Sequence, residues 1–287
     1  MSTILDSFED TRALALSFFN LEQRIQKKYT VPRMSSLNKT CLREIILGHK
    51  LGMHKYEYVD ANGSVIYDIG NELHRVVQNH PRYLGDKIYG RWKCLACNTI
   101  LNKQLMPKPP ECTVCGANHN AIRYEEKFLY IKWLTAHPDA YVMSPTTKKH
   151  LIVGEIKTID KDAFKDLVAP IADHVYQVNG YMLLSEIISK QEHWEIPFNS
   201  DEAYIYYFSK GHAGRQNYPV KIFTIKKQKA IVEDIVGRVI LYRDSYDPKT
   251  KTIKSLPDPV SECLGAKWSN YRAINCNVKP YCVAGGC

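Results

Sequence analysis

Two stretches of the chain carry side chains whose types and spacing could do chemistry. One is AHPDAYV at 136–142, followed by LIVGEIKTI at 151–159. On an extended strand, residues two apart share a face, so Glu155 and Lys157 project together while Ile156 turns the other way into apolar packing. A turn near 144–149 would bring the preceding strand alongside and let Asp139 approach Glu155. Two carboxylates at one end of a sheet repel each other unless a cation lies between them. A hard divalent ion, Mg2+ or Mn2+, suits oxygen donors of this kind. The adjacent lysine could then orient an attacking water and neutralise charge developing on a phosphoryl oxygen. Glu-x-Lys also occurs as an ordinary strand-edge ion pair, and that is the alternative for this stretch taken alone.

The other stretch holds CLAC at 94–97 and CTVC at 112–115, with fourteen residues between them. Each pair forms a knuckle that presents two thiolates, and the two pairs together complete a tetrahedral zinc site. Gly116 permits the tight turn after the second pair. Cys94, Cys97, Cys112 and Cys115 would leave no open coordination position, so this zinc should fold its module and do no chemistry. A redox role is the weaker reading, since neither pair leads from a strand into a helix.

Further polar groups stand at helical spacing nearby. HVYQVNGYMLL at 174–184 puts Gln177 and Tyr181 four apart on one helix face. GNELHRVVQ at 70–78 supplies His74, available as another metal ligand.

The elements that must position these groups follow from periodicity. A helix is expected over residues 4–28, and a second to about Leu51 after Pro32, capped by Ser35 or Ser36, with Cys41 near its start. A third helical stretch follows Gly70 and stops before Pro81. From 91 to about 123, Pro, Gly, Asn and paired cysteines replace apolar periodicity, as in a small inserted module. Strands are then expected at 127–134, 138–143 and 150–159, a helix at 172–190, strands at 203–209 and 219–225, and a helix at 226–243. The expected organisation is a helical part over 1–90, a zinc-ribbon insertion over 91–123, a core over 124–245 and a basic cysteine-containing segment over 246–287.

Composition narrows the classes. The 287 residues are 45% hydrophobic and 24% charged, too mixed for a fibrous or disordered chain. No apolar run reaches the roughly 20 residues that span a bilayer, and the first thirty residues lack a basic stretch followed by an apolar one. The expectation is a soluble, cytoplasmic protein without a membrane partner. The net charge is +9, and 14 Lys/Arg against 6 Asp/Glu fall between Lys210 and Cys287. That bias suits a polyanion such as nucleic acid, although a solubilising charged face would look the same.

The ordered series Gly70 to His74, His137-Pro138-Asp139, Glu155-Ile156-Lys157 and Gln177 to Tyr181 resembles the RecB-like branch of the PD-(D/E)XK nuclease superfamily, over roughly residues 35–285. Ala136 stands where that family often has a glycine. The resemblance implies an α/β (α+β) fold of restriction-endonuclease type, with a mixed central sheet flanked by helices and the zinc ribbon inserted. It implies His74, Asp139, Glu155 and the carbonyl of Ile156 as ligands of Mg2+ or Mn2+. Lys157 would be the catalytic lysine, with Gln177 and Tyr181 positioning the DNA backbone or the water. Glu125 or Glu126 could serve as an additional acid. The implied reaction is metal-assisted hydrolysis of a phosphodiester.

Several RecB-like nucleases, the CRISPR-associated exonucleases and AddB subunits among them, also resemble this chain in their terminal cysteines, one before the core and three after it holding a [4Fe–4S] cluster. Cys41, Cys263, Cys276 and Cys282 match that arrangement here, with Cys287 as the alternative to Cys263. Twelve residues separate Cys263 from Cys276, where the family often has two. Unrelated thiols remain the other reading. Lys267, Arg272 and Lys279 could flank a DNA path, and Trp268 and Tyr271 could stack on unpaired bases.

The function expected from these features is a metal-dependent deoxyribonuclease, an exonuclease acting on single-stranded DNA or DNA ends. Its setting would be phage or prokaryotic replication, recombination, repair or CRISPR adaptation. No GxxxxGK[ST] motif is present, so a helicase motor would have to come from a partner. The alternative is a non-catalytic zinc-ribbon and iron–sulfur protein that binds nucleic acid.

Overall fold

A computed structural model of the chain describes residues 31–38, 41–52, 61–211, 219–265, 276 and 278–283. The expected helix at 4–28, and Lys267, Trp268, Tyr271, Arg272 and Cys287, lie outside the described residues.

The helices at the start are α1 (Met34–Leu37), α2 (Leu42–Leu51) and α3 (Ala61–Asn79). Short strands β1 (Ile88–Tyr89), β2 (Arg91–Cys94) and β3 (Ile122–Glu125) follow, then β4 (Leu129–Ile131) and β5 (Leu134–Ala136). Next come β6 (Ala140–Met143), β7 (Leu151–Ile159), α4 (Lys161–Asp166) and α5 (Ala172–Gln191). The chain continues through β8 (Phe198–Ser209), β9 (Val220–Lys226) and α6 (Lys229–Ser245) to the small hairpin β10 (Tyr246–Asp247) and β11 (Thr252–Ile253). Two short helices, α7 (Ser261–Gly265) and α8 (Lys279–Val283), come last.

The central sheet has the order β1-β6-β7-β8-β9. Only β7 and β8 run parallel; the other neighbours are antiparallel, so the sheet is mixed. The parallel pair needs a crossover, and α5 provides it. β7 is an almost unbroken apolar run because both of its faces are covered. Alternation on β8 separates the two sides. Ile205 and Tyr207 pack with Val178 and Leu184 of α5 and Ile235 and Tyr242 of α6. Tyr206 and Phe208 pack with Val77 of α3 and Ile156 of β7. The result is an α/β fold with helices on both faces of a mixed sheet, as expected.

Helix α5 is buried nearly all round, from Val175 to Tyr181 without interruption, because the sheet, α1, α6 and the β4–β5 hairpin surround it. Polar residues on such a helix must find partners inside the protein. Gln177 and Tyr181 therefore sit among other polar groups.

Several boundaries differ from the sequence reading. Gly70 lies inside α3 rather than before it. A glycine in mid-helix costs up to about 1 kcal/mol in propensity. Here a Cβ would lie 3.2 Å from Thr158 Oγ1, so its absence lets α3 approach β7 closely. The expected strand at 127–134 is instead a hairpin outside the central sheet, with Leu129↔Ala136 and Ile131↔Leu134 paired around Lys132 and Trp133. Those two turn residues carry no Asn-Gly or Gly signal that would have marked the reversal. The second expected helix is divided into α1 and α2; Cys41 is the N-cap of α2, and neither Ser35 nor Ser36 caps it. Among the described residues, no helix is long and apolar enough to cross a membrane.

Candidate functional site

The acidic residues converge where β6 ends. The register Ala140↔Gly154 would place Pro138 opposite Ile156, and proline has no N–H to extend the ladder. Asp139 takes over: its Oδ2 accepts the Ile156 N–H at 2.8 Å. The strand break thus fixes a carboxylate against the middle of β7, at 9% exposure. In a strand the N–H and C=O of one residue point to the same edge, so the Ile156 carbonyl faces this site as well.

The Glu155 side chain projects from β7 on the face opposite the Ile156 side chain and is 1% exposed. Its Oε1 accepts from Lys157 Nζ at 2.6 Å and from Gln177 Nε2 at 2.9 Å. Gln177 Oε1 in turn accepts from Lys157 at 3.2 Å, and its Nε2 also donates to Tyr181 Oη at 2.6 Å. Glu155 Oε2 is buried without a hydrogen-bond partner. An unsatisfied buried carboxylate oxygen is costly, so this atom is open to a cation or a water.

Helix α3 approaches from the other side. His74 Nδ1 lies 3.8 Å from Asp139 Oδ2, and His74, Glu126 and Asp139 bring ligand atoms within 4.8 Å of one another. Gln78, one turn after His74, donates to Glu126 Oε1 and to the Asp139 carbonyl, both at 2.9 Å.

The electrostatics fit a cation site. Burial, then the charges of Glu155 and Glu126, push the Asp139 carboxyl well above the usual carboxylate range. Burial also raises Glu126. His74 is held down to about 4 by burial and by the charge of Lys157, so at neutral pH its ring keeps a free lone pair. Burial works against the Lys157 ammonium, but Glu155 and Asp139 more than offset it and raise its pKa. His74, Glu126 and Asp139 make a hard-donor set suited to a divalent cation such as Mg2+ or Mn2+. Glu155, whose charge acts on Asp139, does not fall within the 4.8 Å spacing of that group.

The expected residues thus form two adjoining groups. His74 and Asp139 stand at single-ion spacing, with the Asp139 carboxylate on the Ile156 N–H. Glu155, Lys157, Gln177 and Tyr181 are joined by hydrogen bonds, and Glu155 and Lys157 act on Asp139 electrostatically. Of the two candidate acids, Glu126 joins the first group, whereas Glu125 pairs with Arg91 at 3.0 Å. Gln78 escaped the sequence reading, although its spacing of four from His74 on a helix would have shown it.

The four ribbon cysteines converge separately. Cys94 and Cys115 lie 3.7 Å apart, as do Cys97 and Cys112, and all four sulfurs are within 4.8 Å of one another. A tetrahedron of Zn–S bonds of about 2.3 Å has edges of about 3.8 Å, so the dimensions suit a single ion. The knuckles turn through Asn98 at φ 60° and Gly116 at φ 73°. Cys94 ends β2, the Glu111–Asn118 bridge closes the second knuckle, and Ile88, Trp92, Ile122 and Tyr124 form a small core beside them.

The terminal cysteines also approach one another. Cys276 is pushed up to about 11 by burial and Glu44, with smaller contributions from Cys282 and Cys41. Cys282 is raised by burial, and Cys41 and Cys263 act on it too. Among the described residues, these thiols do not fall within the 4.8 Å spacing of a single-ion group. Arg43, 7% exposed, donates to Cys282 Sγ at 3.0 Å and to the Pro257 carbonyl at 2.8 Å. A buried guanidinium facing a sulfur suits a thiolate-rich group. Arg43 too was missed, though it lies two residues after Cys41.

No family model matches the chain, and no curated protein matches it. Among solved structures, it is similar to an alkaline exonuclease from Laribacter hongkongensis at 11% identity, covering 75% of this chain and 86% of that one, with a TM-score of 0.43. It is also similar to a phage-related exonuclease from Haemophilus somnus at 14% identity, covering 78% and 94%, with a TM-score of 0.37. Likeness at that level identifies neither a family nor an activity.

Proposed function

We propose that the chain is a divalent-metal-dependent DNA nuclease of the RecB-like PD-(D/E)XK type, acting on single strands or ends. The observation that carries this reading is the Asp139–Glu155–Lys157 group. Two buried carboxylates on neighbouring segments act on each other electrostatically, one Glu155 oxygen is unpaired, and an ammonium is held beside Glu155. Glu125 Oε2, in its ion pair with Arg91, also lacks a hydrogen bond, so the reading rests on the two carboxylates and the ammonium together rather than on the orphan alone.

Asp139, Glu155, His74 and the Ile156 carbonyl would hold Mg2+ or Mn2+, with Glu126 at the margin. When bound, the ion supplies Lewis acidity for phosphoester hydrolysis. Lys157 stays protonated, so it donates to a phosphoryl oxygen and offsets charge that grows there. Gln177 fixes the Lys157 ammonium through its Oε1, and Tyr181 fixes the Gln177 amide. These buried partners hold the lysine without reorganisation.

The ribbon would take zinc as a structural ion. Cys41, Cys263, Cys276 and Cys282 would take a [4Fe–4S] cluster clasping the two ends of the chain, with Arg43 balancing its charge. Any motor for opening a duplex would come from a helicase or recombination partner.

End-labelled single- and double-stranded DNA, incubated with Mg2+ or Mn2+ and with chelator, tests the reading. Cutting should require the ion, and Glu155→Ala and Lys157→Ala should bind DNA yet fail to cut. Variants that cut like the wild type would remove the catalytic assignment. A wild type that binds but never cuts would favour the non-catalytic alternative.

A further inference from the structure

The β4–β5 hairpin is rooted in the acidic site at both ends. Glu126 lies two residues before Phe128, and Asp139 lies two residues after His137. Along β4 the alternation is clear: Leu129 is buried and Ile131 partly so, while Phe128, Tyr130 and Lys132 are exposed. Leu129 and Ile131 satisfy the packing of the hairpin against the core. Phe128 and Tyr130 remain 43% and 53% exposed, on the face that the core does not need.

Their geometry is ordered. The two rings lie within 22° of parallel, with centroids 6.3 Å apart. His137, across the hairpin, brings its ring to 4.8 Å from Phe128. Lys132 continues the same face, with its Nζ 5.0 Å from the Trp133 ring. On the other side of the hairpin, the Arg33 backbone bridges Thr135, and the Arg33 charge reaches Glu126. Two flat exposed rings, with Lys132 further along the same face, match a polyanion whose bases are uncovered. Base–aromatic stacking contributes about 1–3 kcal/mol per base and needs no particular sequence. A duplex hides its base faces inside the stack and gains nothing from such a stripe.

We propose that Phe128 and Tyr130 form a stacking platform that receives the unpaired bases of a single nucleic-acid strand and leads its backbone to the Asp139–Glu155 site. This rests on the nuclease reading for the destination of the strand, but the binding step can be measured without cleavage.

The test is affinity for a labelled oligothymidylate and for a blunt DNA duplex, measured in chelator, alongside cleavage with Mn2+. The double variant Phe128→Leu/Tyr130→Leu keeps apolar bulk and removes the rings. It should bind the single strand at least about tenfold more weakly and the duplex as before. The double variant Phe128→Tyr/Tyr130→Phe should retain single-strand affinity. The platform is overturned if the leucine variant binds the single strand like the wild type, or weakens equally toward both DNAs. If the wild type cuts DNA and the leucine variant binds normally, only the platform falls. If the leucine variant binds weakly but the wild type never cuts, the platform stands and the nuclease reading falls. A wild type that binds neither DNA sinks both.

Discussion

Replacing Asp139 with Asn should stabilise the metal-free protein and abolish its response to metal, two effects of opposite sign from one atom. Asparagine keeps an oxygen for the Ile156 N–H, so the bond that closes the end of β6 survives. What disappears is a negative charge whose ligand oxygen lies within 4.8 Å of that of Glu126, with Glu155 a further repelling neighbour. At an effective dielectric of about 20, one such like-charge contact costs about 3–4 kcal/mol when both groups are ionised. Protonation of Asp139, whose pKa burial and its neighbours raise, relieves part of that cost. The net gain expected in chelator is about 1–2 kcal/mol, or a melting temperature higher by about 2–8 °C. The wild type, by contrast, should gain about 2.7 kcal/mol at a metal concentration of about 100 times Kd, and the variant little or nothing. Thermal unfolding of both proteins, in chelator and across a Mn2+ titration, reads the two effects together. A variant that melts no higher than the wild type in chelator, or that gains as much from Mn2+, refutes the reasoning.

Other consequences follow from the same contacts. Lys157→Ala leaves the buried Glu155 carboxylate with Gln177 as its remaining donor, so in chelator it should cost about 3–5 kcal/mol in denaturant unfolding; a loss below about 1 kcal/mol would mean that the pair is not held as described. His49 accepts or donates a 2.9 Å hydrogen bond with Tyr242, and burial holds its pKa down to about 4 from 6.5. As pH falls below 6.5 the unfolded chain takes up that proton first, so stability should drop by up to about 3 kcal/mol between pH 6.5 and 4 and be unaffected by this group above that window. His49→Gln should flatten that part of the curve, and superimposable pH profiles would contradict the assignment. Cys112→Ser should remove one metal equivalent by elemental analysis and expose Trp92 to quencher, because its small core lies beside the knuckles; unchanged metal content would show that the four sulfurs hold no ion.

Much of this was legible in the sequence because the pattern and the physics coincided. The alternation of β7 put Glu155 and Lys157 on one face and Ile156 on the other. The spacing of Gln177 and Tyr181 predicted their shared helix face, and the paired cysteines predicted a four-sulfur group. What remained hidden depended on tertiary contact. Gly70 read as a helix start, but its role is the close approach of α3 to Thr158. The turn at Lys132 and Trp133 has no local signature, so a hairpin read as one strand. Glu126 and Glu125 are neighbours on the chain, and only the fold sends one toward Asp139 and the other to Arg91. The orphaned oxygen of Glu155 is a property of burial, which no spacing expresses.

The central claim is that Asp139 and Glu155 share a divalent cation. Crystals soaked in Mn2+ and measured for anomalous scattering test it directly. The account predicts a peak within coordination distance of Asp139 and of Glu155 Oε2, with His74 beside it. A well-ordered site with no peak there, and Glu155 still paired only with Lys157 and Gln177, would contradict it.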